Sequence, residues 1–108
     1  MTPYNRNVPV ESKSLLGRLE DKILIADDCW LWTGACDRKG YGALRWQGKV
    51  LRAHRVVYEL LVGPVARGMQ LDQLCRVHAC VKPQHLEQVD NSENQLRHQA
   101  YRRAQRVA

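Results

Sequence analysis

Phenylalanine is absent from this 108-residue chain, and aromatic residues make up only 6% of it. A core without phenylalanine has to be built from aliphatic residues and three tryptophans. Such a core is small, and domains of this size often need a staple such as a bound metal. No apolar run approaches the roughly 18 residues that a membrane helix requires, so no membrane partner is expected. The opening stretch, MTPYNRNVPVESKS, has no apolar segment behind a basic one, so it does not read as a secretion signal. Internal repeats and low-complexity segments are missing as well. The expectation is a cytoplasmic protein, in which the four cysteines read as metal ligands or free thiols rather than disulfides.

What is present suits one compact domain: 44% hydrophobic residues and a net charge of +6. That charge is uneven. Residues 1–37 carry a balance of −2, and residues 38–108 a balance of +8. A basic surface confined to the C-terminal two thirds is the pattern expected of a face that binds a polyanion.

The first residues, 1–11, read as a flexible arm. From Ser12 or Ser14 to Leu24 the apolar residues Leu15, Leu16, Leu19, Ile23 and Leu24 recur at helical spacing, with a serine as cap. Tyr41, Leu44 and Trp46 precede a Gln47-Gly48 turn, and Val50-Leu51 follow it, which predicts two strands in a hairpin. The period then changes. Val56, Val57, Leu60 and Leu61 share a helical face that Gly63-Pro64 ends. MQLDQL reads as a strand, Pro83 opens a short helical turn through Leu86, and NSENQLRHQAYRRAQRVA reads as a basic helix with Ser92 and Gln95 at capping-box spacing. Residues 12–97 are expected to form the domain, and 98–108 a basic C-terminal helix or tail.

The segment LDQLCRVHACVKPQHL concentrates the chemistry. Cys75, Cys80 and His85 fall at intervals of five. Thiolates and imidazole are the ligands zinc prefers, four in a tetrahedron when the site is structural. The loop supplies Cys75, Cys80, His85 and, as an option, His78. If His78 does not serve, a distant residue completes the shell, with Cys29 first and Cys36 second. Beside the loop, Asp72 at a strand end and a histidine at a following helical turn could share a divalent cation. Such a cation polarises a phosphate and stabilises a leaving oxygen. Gln73, next to Asp72, cannot act as a base, because an amide does not accept a proton near neutral pH.

Six blocks in order, CWLWTG, KGYGALR, AHRVVYEL, GPVARGMQLD, LCRVHACVKPQHLE and SENQLR, lie between Cys29 and Arg97 and carry a likeness that covers roughly residues 15 to 97. Together they resemble the small phage-type HNH endonucleases of the His-Me finger, or ββα-metal, superfamily. The resemblance implies an α+β fold: a zinc-stapled ββα-metal domain with a preceding β-hairpin and flanking helices. It implies Asp72 and His85 as ligands of a catalytic divalent metal, Mg²⁺ or Mn²⁺, and Cys29, Cys75 and Cys80 as a structural Zn²⁺ set. His85 cannot serve both metals, so one of them takes another ligand. Two positions depart from the family pattern. Gln73 stands where the general-base histidine belongs, and Lys82 where the asparagine of a Val-Asn-Pro motif belongs. Loss of a general base costs roughly 10²–10⁴-fold in rate. His78 is the weak candidate for a substitute base. Lys82 either opposes the cation or grips a phosphate.

Double-stranded DNA is the implied partner. Arg45, Lys49, Arg52 and Arg55 follow the hairpin and its exit, Arg76 and Lys82 lie in the Cys/His loop, and Arg97, Arg102 and Arg103 line the last helix. These are the residues expected to track a phosphate backbone. His54 is expected to be a hydrogen-bonded core histidine, and Trp30, Trp32 and Trp46 to pack in the core. Two functions fit: an HNH-type DNA endonuclease or nickase, phage- or prophage-encoded and impaired by Gln73, or an inactive zinc-stabilised DNA-binding module serving as a regulator or phage accessory protein.

Overall fold

The computed structural model describes residues 10–107, and the side chains of residues 15–105. All but the last two residues of the expected N-terminal arm lie outside the described residues. Helix α1 (Val10–Glu20) is followed by strands β1 (Ile23–Ala26) and β2 (Cys29–Trp32). Next come β3 (Ala43–Trp46), β4 (Lys49–Arg52) and helix α2 (Ala53–Leu61). Strand β5 (Met69–Gln73), a 3-10 turn (Pro83–His85), β6 (Leu86–Asp90) and helix α3 (Asn91–Val107) complete the order.

The strands pair as three separate antiparallel hairpins, β1–β2, β3–β4 and β5–β6. The β3–β4 turn places Gln47 and Gly48 at φ +50° and +78°. Two consecutive left-handed residues are the geometry that matches the twist of a tight hairpin, so glycine is needed at the second of them. The first hairpin corrects the sequence expectation. Ile23 and Leu24 continue the helical spacing of α1, but the chain turns after Glu20 and these residues extend into β1, where Ile23 pairs with Trp32 and Leu24 with Leu31. Helix α1 also begins before Ser12 and Ser14, so neither serine starts it.

The core sits between α1, α2 and the two N-terminal hairpins. Leu15, Leu16 and Leu19 meet Trp32, Leu44, Ala53, Val56, Val57 and Val81 there. Burying each Leu or Val contributes about 1.5–3 kcal/mol. Trp32 is buried in this cluster, and the partly buried Trp30 and Trp46 pack against the cluster, so the tryptophans are core residues. Gly42 lets Trp32 approach: a Cβ there would fall 2.6 Å from Trp32 Cδ1.

The third hairpin carries the site. Strands β5 and β6 align Asp72 with Glu87 and Gln73 with Leu86, and residues 74–85 leave the pair as the Cys/His loop. This loop docks on β2. Val81 N–H donates to Trp30 O and Trp32 N–H to Ala79 O, both at 2.8 Å, which sets Cys80 opposite Leu31. Helix α3 then starts at a side-chain cap: Asp90 Oδ1 accepts the Glu93 N–H at 2.8 Å. Asp90, not Ser92, therefore serves as the cap. α3 runs unbroken across the 97/98 boundary expected between domain and tail.

Candidate metal centre and phosphate pocket

The docking of residues 79–81 on β2 brings Cys29 to the loop. The ligand atoms of Cys29, Cys75, Cys80 and His85 all lie within 4.8 Å of one another. His85 Nδ1 stands 3.4 Å from Cys80 Sγ and 3.7 Å from Cys29 Sγ. Ligands bound tetrahedrally at zinc–sulfur and zinc–nitrogen lengths sit roughly 3.5–3.8 Å apart, so this Cys3His cluster can hold a metal ion such as zinc. The fourth member of the cluster is Cys29. Cys36 is exposed and pairs with Gly42 in a strand-like bridge, and the His78 ring is turned to Lys39 O instead.

The cluster's titration behaviour also asks for a cation. Burial, with the neighbouring Cys80 and Cys75 thiols, pushes Cys29 up to about 12. Burial raises Cys75 too. Burial also acts against ionisation of Cys80, but hydrogen bonds from the Lys82 amide and the His85 ring outweigh it and lower its pKa. Three thiolates in one place repel, and a bound cation removes that penalty. With Nδ1 as ligand atom, the His85 ring proton sits on Nε2, where Asp28 Oδ2 accepts it at 3.1 Å. Lys82 Nζ donates to Asp28 Oδ1 at 2.9 Å. Hydrogen bonds from Lys82 and then His85 hold the Asp28 carboxyl below its usual range. A carboxylate behind a metal-bound histidine fixes its tautomer and orientation. Both His85 nitrogens are therefore committed, and His85 is not free to share a cation with Asp72. Lys82 likewise supports the cluster rather than facing Asp72.

Asp72 lies across the hairpin in a different environment. A pocket of about 700 Å³ is lined by β5, the loop, α3 and the first turn of α2. It collects five cationic side chains, Lys39, Arg52, Arg55, Arg76 and Arg102, against the single carboxylate of Asp72. Asp72 is 1% exposed and held by two arginines. Arg76 Nη1 reaches Oδ1 at 2.6 Å and Arg97 Nη1 reaches Oδ2 at 3.1 Å. Arg97 also donates to Glu93 and Glu87, both at 2.9 Å, and these acids with Asp72 raise its pKa.

Gln73 is buried, and its Nε2 donates to His78 O at 2.8 Å and Cys80 O at 3.0 Å. The amide that cannot be a base thus pins the loop that carries Cys75 and Cys80. His78 lines the same pocket, with Nδ1 2.5 Å from Lys39 O and its ring stacked on Tyr41 at 4.3 Å.

Two residues of α3 were not singled out in the sequence. Asn94 Oδ1 is buried without a hydrogen-bond partner among the described residues, although its Nδ2 donates to Gln70 Oε1 at 2.6 Å. His98 Nε2 stands 3.8 Å from Asp72 Oδ1. The signal available was the spacing of Asn94 and His98, one helical turn apart on the face towards Asp72. Of the expected DNA-contacting residues, Arg52, Arg55, Arg76 and Arg102 line the pocket, and Arg97 grips Asp72 behind it. Arg45, Lys49 and Arg103 are exposed outside it, and Lys82 belongs to the metal cluster. His54 departs from the expected hydrogen-bonded core role: it is buried but lines the pocket, and its Nδ1 has no partner among the described residues.

Residues 51–96 match the protein family described as HNH endonuclease. Over this stretch the chain is similar to an HNH endonuclease domain. The match begins in β4, covers α2, β5, the Cys/His loop and β6, and ends in α3. The chain is also 37% identical over 73 residues to Protein 7.7 of Escherichia phage T7, a stretch that covers 65% of this chain and 56% of that protein. The matched stretch thus spans about half the length of this relative. No solved structure matches the chain. HNH endonucleases act on nucleic acid, and the matched stretch includes Asp72 and part of the basic pocket. No helix among the described residues is long and apolar enough to cross a membrane.

Proposed function

We propose that the chain is an HNH-type, metal-dependent DNA endonuclease or nickase whose turnover is impaired by Gln73, acting on double-stranded DNA in the cytoplasm of a phage-infected bacterium. The observation that carries this reading is the buried Asp72 at the floor of a pocket rimmed by five cationic side chains. A rim of that charge suits the phosphate backbone, and a carboxylate is the ligand type a hard divalent cation requires.

The donor set around Asp72 fits such a cation. Asn94 Oδ1 is buried with no partner among the described residues and would supply a second oxygen, and His98 approaches from the same helix. Asp72, Asn94 and His98 would hold Mg²⁺ or Mn²⁺, which when bound supplies positive charge to the scissile phosphate and its leaving oxygen. Arg97 orients Asp72 from behind. Arg52, Arg55 and Arg102 bind and align the strand. Gln73 holds the loop in shape but accepts no proton, so water attacking the phosphate lacks the base that the family supplies from this position. The separate Cys3His centre, loaded with Zn²⁺, fixes the loop on β2.

A second reading has its own observation. Arg76 and Arg97 already satisfy the Asp72 carboxylate, as they would in an inactive zinc-stabilised DNA-binding module. Nicking of supercoiled plasmid with Mg²⁺ or Mn²⁺ separates the two. Slow cutting by the natural chain, sharply raised in Gln73→His, supports the impaired nuclease. A chain and variant that both shift DNA and never cut it support the binding module.

A further inference from the structure

The first turn of α2 forms a wall of the pocket with a character of its own. Arg52 stands at the helix cap without a side-chain hydrogen bond, and the first turn holds no acidic residue. The Ala53 N–H is taken by Gly42 O at 2.9 Å. The next amides, at His54 and Arg55, have no carbonyl one turn behind them within the helix. Open amides and the helix dipole favour an anion at such an end. A bare helix end is common, and here a second feature singles it out. His54, on this turn, is 6% exposed, lines the pocket, and has a buried Nδ1 with no partner among the described residues. Buried polar atoms are nearly always paired in native proteins, so an orphan on a residue that lines a pocket points to a missing ligand.

The charge around it has one sign. Arg52 and Arg55 flank His54, and Arg52 also lies over the Tyr41 ring at 5.0 Å. Burial first, and then the Arg52 and Arg55 cations, push His54 down to about 4, so its ring is neutral. The acids nearby are engaged at the surface: Asp37 stands 3.6 Å from Arg52 and Glu59 3.0 Å from Arg55. Exposed pairs of this kind are weak, and each guanidinium has five N–H donors, more than one carboxylate uses.

We propose that the N-terminus of α2 is a phosphate subsite, in which Arg52, Arg55, the open amides of the first turn and the His54 ring N–H hold a backbone phosphate of the nucleic acid beside the one at Asp72. This rests on the nucleic-acid reading above and deepens it. The subsite sets the register of the strand in the pocket without reading sequence, because a phosphate is the same at every nucleotide. It needs no metal, and its ligand is a phosphate diester.

Inorganic phosphate is the first probe, titrated into the zinc-loaded chain while backbone amide and imidazole resonances are followed. Saturable shifts at His54 and Arg55, weakened about fivefold or more in Arg55→Gln, are expected. A 20-base-pair duplex is the second probe. Arg52→Gln and Arg55→Gln each lower the salt dependence of its binding by about one phosphate contact. Both replaced side chains are exposed, so folding is retained and checked by the unchanged resonances of the core. Phosphate that leaves the α2 amides unmoved, or variants with an unchanged salt slope, overturns the subsite. Cleavage is an independent readout. A chain that never nicks plasmid but shows the α2 shifts keeps the subsite and loses the nuclease reading, whereas nicking without those shifts does the reverse.

Discussion

Arg76 places Nη1 2.6 Å from Asp72 Oδ1 and Nη2 3.4 Å from Oδ2, so one guanidinium spans both oxygens of a carboxylate that water does not reach. A buried carboxylate needs cationic partners, and Arg76 supplies one from the same loop that carries Cys75. In the proposed enzyme it stands on the oxygens a divalent cation would use.

Arg76→Gln is therefore expected to tighten Mn²⁺ binding about tenfold, roughly 1.4 kcal/mol, as measured by titration calorimetry. The variant should also lose about 1–3 kcal/mol of stability, since Asp72 keeps Arg97 but loses one charged hydrogen-bonding partner. Unchanged Mn²⁺ affinity would show that the guanidinium and the cation do not compete.

Gln73→His has a structural cost as well as a chemical gain. One amide nitrogen of Gln73 serves two carbonyls, those of His78 and Cys80. An imidazole nitrogen carries at most one hydrogen and cannot serve both. The variant should melt lower, by about 0.5–1.5 kcal/mol for one lost hydrogen bond, while its nicking rate rises by about 10²-fold or more. A variant that nicks no faster than the natural chain would remove Gln73 as the source of impairment.

Chelation of the Cys3His centre should release the loop from its fixed form. Metal analysis is expected to find one zinc per chain, absent in Cys75→Ser. Asp28→Asn, which weakens the acceptor behind His85, should reduce zinc affinity about 10–100-fold without abolishing it. Equal zinc affinity in the two chains would rule out a role for Asp28 behind the metal.

The neutral His54 makes stability depend on pH with a definite sign. Its pKa is about 4 folded against an ordinary 6.5. Above 6.5 the ring is neutral in both states and contributes nothing. As pH falls from 6.5 towards 4, the unfolded chain binds a proton that the folded chain refuses, so stability drops. Urea unfolding at pH 7.5 and pH 5 should differ by about 2 kcal/mol more in the natural chain than in His54→Gln. Parallel pH profiles would mean that His54 is not held neutral.

Gly42→Ala should destabilise the fold by about 1–3 kcal/mol, because the added Cβ falls 2.6 Å from Trp32 and 3.0 Å from Ala53 Cβ. A thermal melt is sufficient to check it. Gly17→Ala, where a Cβ meets nothing within 4 Å, is the control and should not lower the melting temperature.

The elements with a clean period were legible in the sequence. Val56, Val57, Leu60 and Leu61 mark α2, and the Gln47-Gly48 turn marks β3–β4. The chain between Ile23 and Trp32 was not, because Ile23 and Leu24 keep the helical spacing of α1 while the turn at Asp27 comes from a left-handed aspartate, φ +53°. Strand β6 was hidden too. Its five residues follow a 3-10 turn, and only pairing with β5 defines them. For the site, the types of the metal ligands were readable, and Cys29 stood first among the candidates for the distant one. How His85 divides its two nitrogens was not readable, because the spacing of 75, 80 and 85 says nothing about Asp28, which reaches the ring across the chain. The unpaired atoms of Asn94 and His54 escaped for the same reason: an unmet hydrogen bond is a property of the packed state.

Cys29 lies outside residues 51–96, the stretch that matches the HNH family, and it reaches the other three ligands only because β2 pairs with residues 79–81. A gene fragment cut to the family boundaries would therefore encode a three-ligand centre with an open coordination position. The smallest portable unit of this nuclease-like domain is larger than its recognisable signature, and grafting it onto another protein means carrying the first hairpin along.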